Sequence, residues 1–527
     1  MKNIFIILFL FLTHTLSAQV EVTKSWQISL PDVWYYSMLQ GENDNLYLLG
    51  NDNAILNGPY TAIRTRTAKI DTAGNVLWSN FFIDADLPFA FQQEEKMTFA
   101  DSSLFVSCRQ ILDEEYGTRG VLLKKDALNG DIIWRKDYFT EFLGEYKHGS
   151  VSTIGTDSDG FVYLLEPKDS FSLNYHFIIE KLNPTTGETI WSLSYQDSTN
   201  FWGIYSATVL NDKIFITGYT ASEKDFYLKI NANGVQEACK FLNHQQGMFS
   251  FAVDSTENFY IYDKYYGKNK IVKVDPFNTS VDSLWAYSLT VPDDNTGYIV
   301  DIAVDDDLNI YAVGFIRTTP LTPINYYLTT KLDRNGNVIW QKTLYLGSTV
   351  HCIPRKIITN NSVICVYGNV NAANSQTVDH SNEVALFYDK YGNLIDTFIN
   401  TITNYHLSPN ALFCSNNNFY TIGESYNSAT NSKNTILTQY KVNGTPVGTT
   451  APQALKQLSV TPNPTNNIVT ISNLTKPNAA YQISNDLGQV VQQGKMQSDN
   501  TISVAALAKG IYILNIEGHA PVKVVKE

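Results

Sequence analysis

Between Asn45 and Gly444 one two-part phrase returns eight times, and no other property of the chain limits its fold as tightly. The first half is an apolar strand ending in a turn, as in Asn45-Leu-Tyr-Leu-Leu-Gly50, Lys213-Ile-Phe-Ile-Thr-Gly218, Asn309-Ile-Tyr-Ala-Val-Gly314 and Asn418-Phe-Tyr-Thr-Ile-Gly423. Looser copies centre on Phe105, Tyr163, Tyr260 and Cys365. The second half reads Lys, apolar, Asp or Asn, a Gly turn, apolar residues and Trp, as in Lys69 to Trp78 and Lys331 to Trp340. Its turn glycines are Gly74, Gly130, Gly187, Gly234, Gly336, Gly392 and Gly444, with Thr279-Ser280 in the remaining place. The unit is therefore roughly 50 residues long, the period of a propeller repeat. A unit of that length, cut by Asn, Asp and Gly turns into four short alternating segments, is a four-stranded propeller blade. A helical solenoid would instead show a 3.6-residue period, which the segments lack.

Each tryptophan of the series (Trp78, Trp134, Trp191, Trp285, Trp340) follows its turn on the last strand of a unit. A large ring in that repeated place is expected to pack between neighbouring sheets. Ala238 and Asp396 occupy the same place in two units, which predicts different contacts there. Trp26-Gln-Ile-Ser-Leu30 resembles the segments after the other tryptophans yet precedes the first complete unit, while the last unit runs out weakly at Thr445 to Thr450. The economical expectation is an all-β, eight-bladed β-propeller over residues 19–450 whose N-terminal strand completes the last blade and hides both open edges.

The phrases resemble SBBP-type bacterial β-propeller repeats, most closely in Asn309 to Gly314 with Tyr327 to Trp340 and in Asp225 to Gly234. Lys181 to Trp191 is more distantly similar to the tryptophan-docking repeat of quinoprotein propellers. That second family implies a cofactor pocket with calcium and an adjacent cysteine pair, and the chain has no Cys-Cys. The resemblance is informative about fold and poor about function, since one scaffold hosts many sites.

Met1-Lys-Asn, the apolar run Ile4 to Leu12 and Leu16-Ser-Ala18 have the three zones of a secretory signal peptide, so residues 1–18 are expected to be removed before Gln19. No later stretch reaches the roughly 20 apolar residues of a membrane span. The five cysteines are scattered and contain no close-spaced pair, which excludes a zinc motif or a disulfide framework. One pair, such as Cys352 with Cys365 or Cys414, is open to oxidation outside the cell. Net charge is −13, and the repeat region carries −16 once Lys2 and the two surplus lysines of the tail are set aside. A nucleic-acid partner is therefore not expected, because phosphate binding depends on an excess of Lys and Arg.

After a short linker, 451–457, the texture changes. Leu458 to Ser472, Tyr481 to Val491 and Leu507 to Ile516 alternate as strands between Asn, Asp and Gly turns, which predicts a small β-sandwich over 458–527. Pro462-Asn-Pro464, the turn at Gly488, Gly510-Ile-Tyr512 and a Lys-containing last strand are similar to the type A C-terminal sorting domain of the type IX secretion system of Bacteroidota. The resemblance implies that Pro462, Pro464, Gly488, Gly510 and Tyr512 belong to a sorting signal read by that machinery. It also implies passage through the outer membrane, followed by release or attachment at the cell surface.

Propeller sites form where loops converge near the axis. Counting back from each repeat aromatic to the connection that enters its unit gives Trp34, Glu94, His148, Trp202, His244, Tyr298, His351 and His406. Imidazoles titrate near neutrality and suit acid-base or ligand roles, while Trp34 and Trp202 suit stacking on sugar rings. The binding candidates are thus Trp34, His148, Trp202, His244, His351 and His406. Asp157-Ser-Asp-Gly160 and Asp305-Asp-Asp307 lack the later ligands of a calcium loop and read as turns. With no nucleophile elbow, metal helix or phosphate loop, no catalytic residue, metal or cofactor is assigned. The expected function is non-catalytic binding of glycan or another surface polymer. An extracellular polysaccharide lyase or hydrolase using the histidines is the alternative, and an adhesive scaffold is the third reading.

Overall fold

The computed structural model describes residues 20–443 and 459–527. Excepted are segments 56–60, 83–91, 112–117, 139–140, 143–145, 148–150, 169–175, 196–200, 221–223, 246–250, 264–269, 275–284, 290–295, 318–324, 347–351, 361, 372–380, 401–405, 416, 428–431, 473–478, 486–489, 497–498 and 517–521. One compact unit spans Gln19–Thr445 and a second is built on Pro446–Glu527. Apart from a single 3-10 turn at Glu42–Asp44, the described elements are strands.

The strands of the first unit form eight four-stranded antiparallel sheets, beside one two-stranded ribbon, among the described residues. Seven of the eight are continuous in sequence, covering 34–82, 92–138, 152–195, 201–245, 251–288, 296–344 and 352–400. The last combines three strands over 406–443 with Glu21–Pro31 from the N-terminus, which pairs antiparallel with Ser432–Asn443. First strands are the ones that approach across sheets: Trp34–Gln40 meets both Gln92–Ala100 and His406–Ser415. The first strands are therefore innermost. The ends at which a last strand crosses to the next first strand all lie on one side, here the crossover end. The opposite, hairpin end carries the turns of the repeated phrase.

Cores lie between sheets. Tyr47 and Leu49 of the first sheet pack on Val106 and Cys108 of the second, and Phe105 and Leu122 pack on Val162 and Leu164 of the third. The series continues sheet by sheet, and Tyr420, Ile422 and Leu437 pack on Val33, Tyr35 and Leu46, returning to the first. Alternation along each strand produces this, since successive side chains face opposite neighbours. Such an array of radiating sheets is a β-propeller.

The tryptophans fasten the joints at the hairpin end. Each ring lies against the turn glycine of the following sheet, Trp78 on Gly130, Trp191 on Gly234 and Trp340 on Gly392. The indole nitrogens of Trp191, Trp285 and Trp340 donate to the carbonyls of Ala232, Arg334 and Lys390 at 3.0, 3.0 and 3.1 Å. Trp26 docks on the first sheet in the same way, donating to the Thr72 carbonyl at 3.0 Å and covering Gly74. Gly336 has φ +84, and a Cβ there would sit 2.7 Å from the Trp285 ring. Gly336→Ala is accordingly expected to cost about 2 kcal/mol or more, from left-handed strain plus displacement of the indole. Chemical denaturation measures it, and an unchanged midpoint would refute the docking role.

Two joints lack the tryptophan. At the Ala238 place, Lys229 is fully buried and bridges Glu237 (2.9 Å) and Glu257, which also takes Lys213 at 2.9 Å. Next to the Asp396 place, Tyr440 packs between Phe398 and Phe387 at 4.9 and 5.2 Å. Cys352 and Cys365 belong to different core clusters, so the pairing left open between them by the sequence is not made.

The C-terminal unit holds a three-stranded sheet (Ser459–Thr461, Ile468–Ser472, Thr501–Ser503) and a four-stranded sheet ordered Val490–Lys495, Ala480–Ser484, Gly510–Ile516, Val522–Lys526. Both contribute to one core containing Val469, Ile471, Ile483, Ile502, Leu514 and Val524.

Candidate functional site

The backward count from the repeat aromatic finds starts of first strands, because the aromatic lies on the second strand of the same hairpin. Trp34 opens its strand opposite Asn51, and His406 opens its strand opposite Tyr426. Trp202, Glu94 and Tyr298 lie near the start of theirs. All five therefore belong to the crossover end and to the innermost strands. His244 is different: it sits next to the end of Gln236–Gln245, the last and outermost strand of the fourth sheet. His148 and His351 lie outside the described residues, as do the side chains of Glu94, Trp202, His244 and His406.

Trp34 is half-buried. The Lys433 ammonium stands over its ring at 4.6 Å and Tyr36 meets it edge-on at 6.2 Å. Its indole nitrogen has no hydrogen-bond partner. Tyr298 rests on Phe315 at 5.2 Å.

The acidic turns are occupied by the fold. Asp157 accepts from the Tyr163 hydroxyl at 2.9 Å and pairs with Lys181 at 2.8 Å, and Asp305 accepts from Tyr311 at 3.0 Å. Asp254, unremarkable in sequence, does the same for Tyr260 at 2.7 Å. Burial and the adjacent carboxylate raise all three phenols well above the ordinary tyrosine range. The repeat lysines complete the set, with Lys331 at 4.9 Å over the Tyr311 ring and Lys69 at 5.3 Å over Tyr47. Among the described residues no group of three or more His, Cys, Asp or Glu is arranged to hold a metal ion.

Two further arrangements were not foreseen from the sequence. At the crossover end of the first two sheets, pairs of arginines converge on single aspartates. Arg64 grips Asp52 with two bonds of 2.7 and 3.0 Å, and Arg66 reaches the same carboxylate at 2.7 Å. Arg135 grips Asp137 at 2.6 and 3.0 Å, with Arg119 at 3.4 Å. The available signal was compositional, since five of the eight arginines fall between positions 64 and 135.

The second arrangement is a buried carboxyl at the closing joint. Glu383 is 1% exposed, accepts from Asn400 Nδ2 at 3.3 Å, and leaves Oε1 without a partner beside the equally unpartnered Tyr367 hydroxyl. Asn400 in turn accepts from Lys24 of the N-terminal strand at 2.8 Å. Burial pushes the Glu383 carboxyl up to about 7, against the smaller opposing pull of its polar neighbours and Lys24.

In the C-terminal unit, Asn463 stitches the Pro462-Asn-Pro464 turn to the last strand. It donates to the Lys523 carbonyl at 2.7 Å and accepts from Val525 N–H at 2.8 Å. Both prolines are exposed, and Tyr512 is buried with its hydroxyl on the Ala508 carbonyl at 2.9 Å. Gly510 opens the strand that carries Tyr512, and Gly488 lies outside the described residues.

No curated protein sequence matches the chain. Among solved structures it is similar to the WD40 domain of SCAP from fission yeast, at 9% identity and TM-score 0.43, covering 80% of this chain and 98% of that one. It is also similar to polysaccharide lyase Uly1, at 10% identity and TM-score 0.41, covering 77% and 90%. A third likeness is the β-propeller domain of the Trilobed protease from Pyrococcus furiosus, at 9% identity and TM-score 0.39, covering 69% and 99%. Residues 459–527 match the secretion system C-terminal sorting domain, and that tail marks the chain for export by type IX secretion to the cell surface or the extracellular space.

Proposed function

We propose that this exported chain is a closed, eight-bladed propeller of SBBP-type repeats that binds a glycan or another surface polymer at its crossover end without catalysis. The cyclic series of cores supports the blade number, and the docking of Trp26 on Gly74 supports closure by the N-terminal strand. Residues 1–18 act as the signal peptide, 451–457 as the linker and 458–527 as the sorting sandwich.

One observation carries the binding reading. The repeat aromatics are consumed by the joints, whereas Trp34, Trp202, Tyr298 and His406 stand at the starts of innermost strands, outside that repeated scheme. Convergent aromatic and polar groups around a concavity are the usual mark of a ligand site. His244 lies at the same end, next to the last residue of Gln236–Gln245.

The test is a polysaccharide array with the full-length protein, scored for retention and for released product, beside Trp34→Ala/Trp202→Ala. Saturable retention that falls at least tenfold in the double variant, with no product, is the expected outcome. Released product would favour the lyase or hydrolase reading. Absence of both retention and product would leave the adhesive scaffold.

A further inference from the structure

The ring is closed through two sheets, the eighth, which contains the N-terminal strand, and the first, on which Trp26 docks. Each is bounded on its far side by a joint that buries an ionisable group. Between the seventh and eighth sheets that group is Glu383, and between the first and second it is Lys125, which is 2% exposed. Register with the second strand finds the place of Lys125 in five other sheets, where it is filled by Ile70, Leu182, Ile230, Val274 and Leu332, all fully buried. A lysine therefore stands where the repeat calls for an aliphatic side chain.

The Lys125 ammonium crosses to the first sheet and donates to Thr67 Oγ1 at 2.6 Å. A neutral hydroxyl leaves the charge unpaid in Coulomb energy, and burial lowers the amine to about 8, against the smaller opposing effects of Cys108 and Asp131. The titratable groups of the first sheet that share this joint are turned elsewhere: the Lys69 ammonium and the Tyr47 hydroxyl both donate to the Ala127 carbonyl, at 3.0 and 3.1 Å.

At the other joint, register explains the orphaned oxygen of Glu383. Between the eighth and first sheets the same place holds Thr435, which accepts from Tyr35 N–H and donates to the Val33 carbonyl, both at 2.8 Å. The eighth-sheet counterpart of Tyr35 is Pro409, because Tyr35 stands opposite Gly50 and Pro409 opposite Gly423. Proline has no N–H to offer. A Cβ at Gly423 would run into Glu383 Oε1, so the carboxyl is pressed close to the backbone of the eighth sheet. The titratable groups around it are Tyr367, Tyr440 and Lys24, the last acting on it across Asn400.

We infer that the eighth and first sheets form a pH-sensitive seam: near neutrality both flanking joints hold a buried charge and the N-terminal strand is held least firmly, whereas acid relieves one joint and mild alkali the other. At Glu383 the native state gains as pH falls from about 7 toward 4.5, because the fold keeps a proton that the unfolded chain has released. At Lys125 it gains as pH rises from about 8 toward 10.5, because the fold gives up a proton that the unfolded chain still holds. Between about 7 and 8 neither gain is present. Above about 10 the tyrosines of the unfolded chain ionise while the buried phenols resist, which ends the alkaline gain.

Urea unfolding and hydrogen exchange read by mass spectrometry, both on the full-length protein, test the seam. The advantage of Lys125→Met over wild type, read as the ratio of their unfolding equilibrium constants, is expected to shrink at least tenfold between pH 7 and pH 9.5, out of about 300-fold available from lowering the amine from 10.5 to about 8. Should that variant fail to fold, Lys125→Leu, the residue type of this place in the third and sixth sheets, is the substitute. In exchange corrected for intrinsic rates, protection of Glu21–Pro31 in wild type is expected to fall at least tenfold from pH 5 to pH 7.5 relative to Ile310–Arg317 of the sixth sheet, and to hold steady in Glu383→Gln. A Lys125 ratio that does not change with pH, or protection of Glu21–Pro31 that moves only in step with the sixth sheet, overturns the seam.

Discussion

Deletion of residues 21–31 is expected to abolish cooperative unfolding of the propeller unit and to leave an aggregating protein. The segment supplies the outer strand of the eighth sheet, paired from Glu21 with Asn443 to Pro31 with Asn434. Without it, Ser432–Asn443 becomes an exposed edge with unpaired N–H and C=O groups, which is a template for association. Three further fastenings go with it: Trp26 on the Thr72 carbonyl and Gly74, Lys24 on Asn400, and Val22 in the core with Tyr440 and Phe387. Trp26→Ala isolates the dock and is expected to cost about 3 kcal/mol, at the low end for a large aromatic because the ring is half-buried. Thermal unfolding followed by far-UV circular dichroism reads both. A deletion variant that melts cooperatively at the wild-type temperature would show that the N-terminal strand is dispensable to the ring.

The second large effect concerns Glu383. Its carboxyl sits near 7 in the fold against about 4.5 in an unfolded chain, so the native state holds a proton that the unfolded state releases first. Stability from this proton is fully present below about pH 4.5, falls as pH rises toward 7, and levels off above that, a loss of about 3 kcal/mol. Glu383→Gln keeps the shape without the ionisation. It is expected to match wild type near pH 4.5 and to exceed it by about 3 kcal/mol at pH 8. The quantity to measure is the difference between the two proteins by urea unfolding at both pH values, which cancels every group they share. A difference that does not change with pH would mean that Glu383 is not protonated in the native state. Tyr367, Tyr440 and Lys24 face the same carboxyl; burial raises both phenols beyond this pH range and lowers the lysine from its ordinary value.

What could be read in the chain follows from repetition. The Gly turn and the Trp return at one spacing in successive units, so a single alignment of the chain with itself exposes the sheet-to-sheet joint. Trp26 was readable for the same reason, as a last-strand phrase displaced to the N-terminus. The joints at Ala238 and Asp396 could be located but not described, because Lys229 with Glu257 and Lys24 with Asn400 are partners from different units that share no spacing. The tail was legible piece by piece, although only the folded unit shows why Asn463 lies between the prolines: both ends of its amide bind the last strand.

The backward count leads to the crossover end of the sheets and carries no information about contacts there. Trp34 looked available for stacking on both faces, yet the Lys433 ammonium, from the opposite end of the repeat region, stands over one of them. The arginine pairs escaped notice because Asp52 and Arg64 lie on different strands and meet only through hairpin register, which sets Asp52 opposite Arg64 and Gly50 opposite Arg66. The sequence by itself determined the strand content, the repeated unit and the export tail, since these are local or periodic and need no knowledge of what meets across sheets. The tertiary structure alone decided which charges converge, which rings are covered and where a carboxyl is buried, because those depend on side chains brought together across sheets from distant parts of the chain.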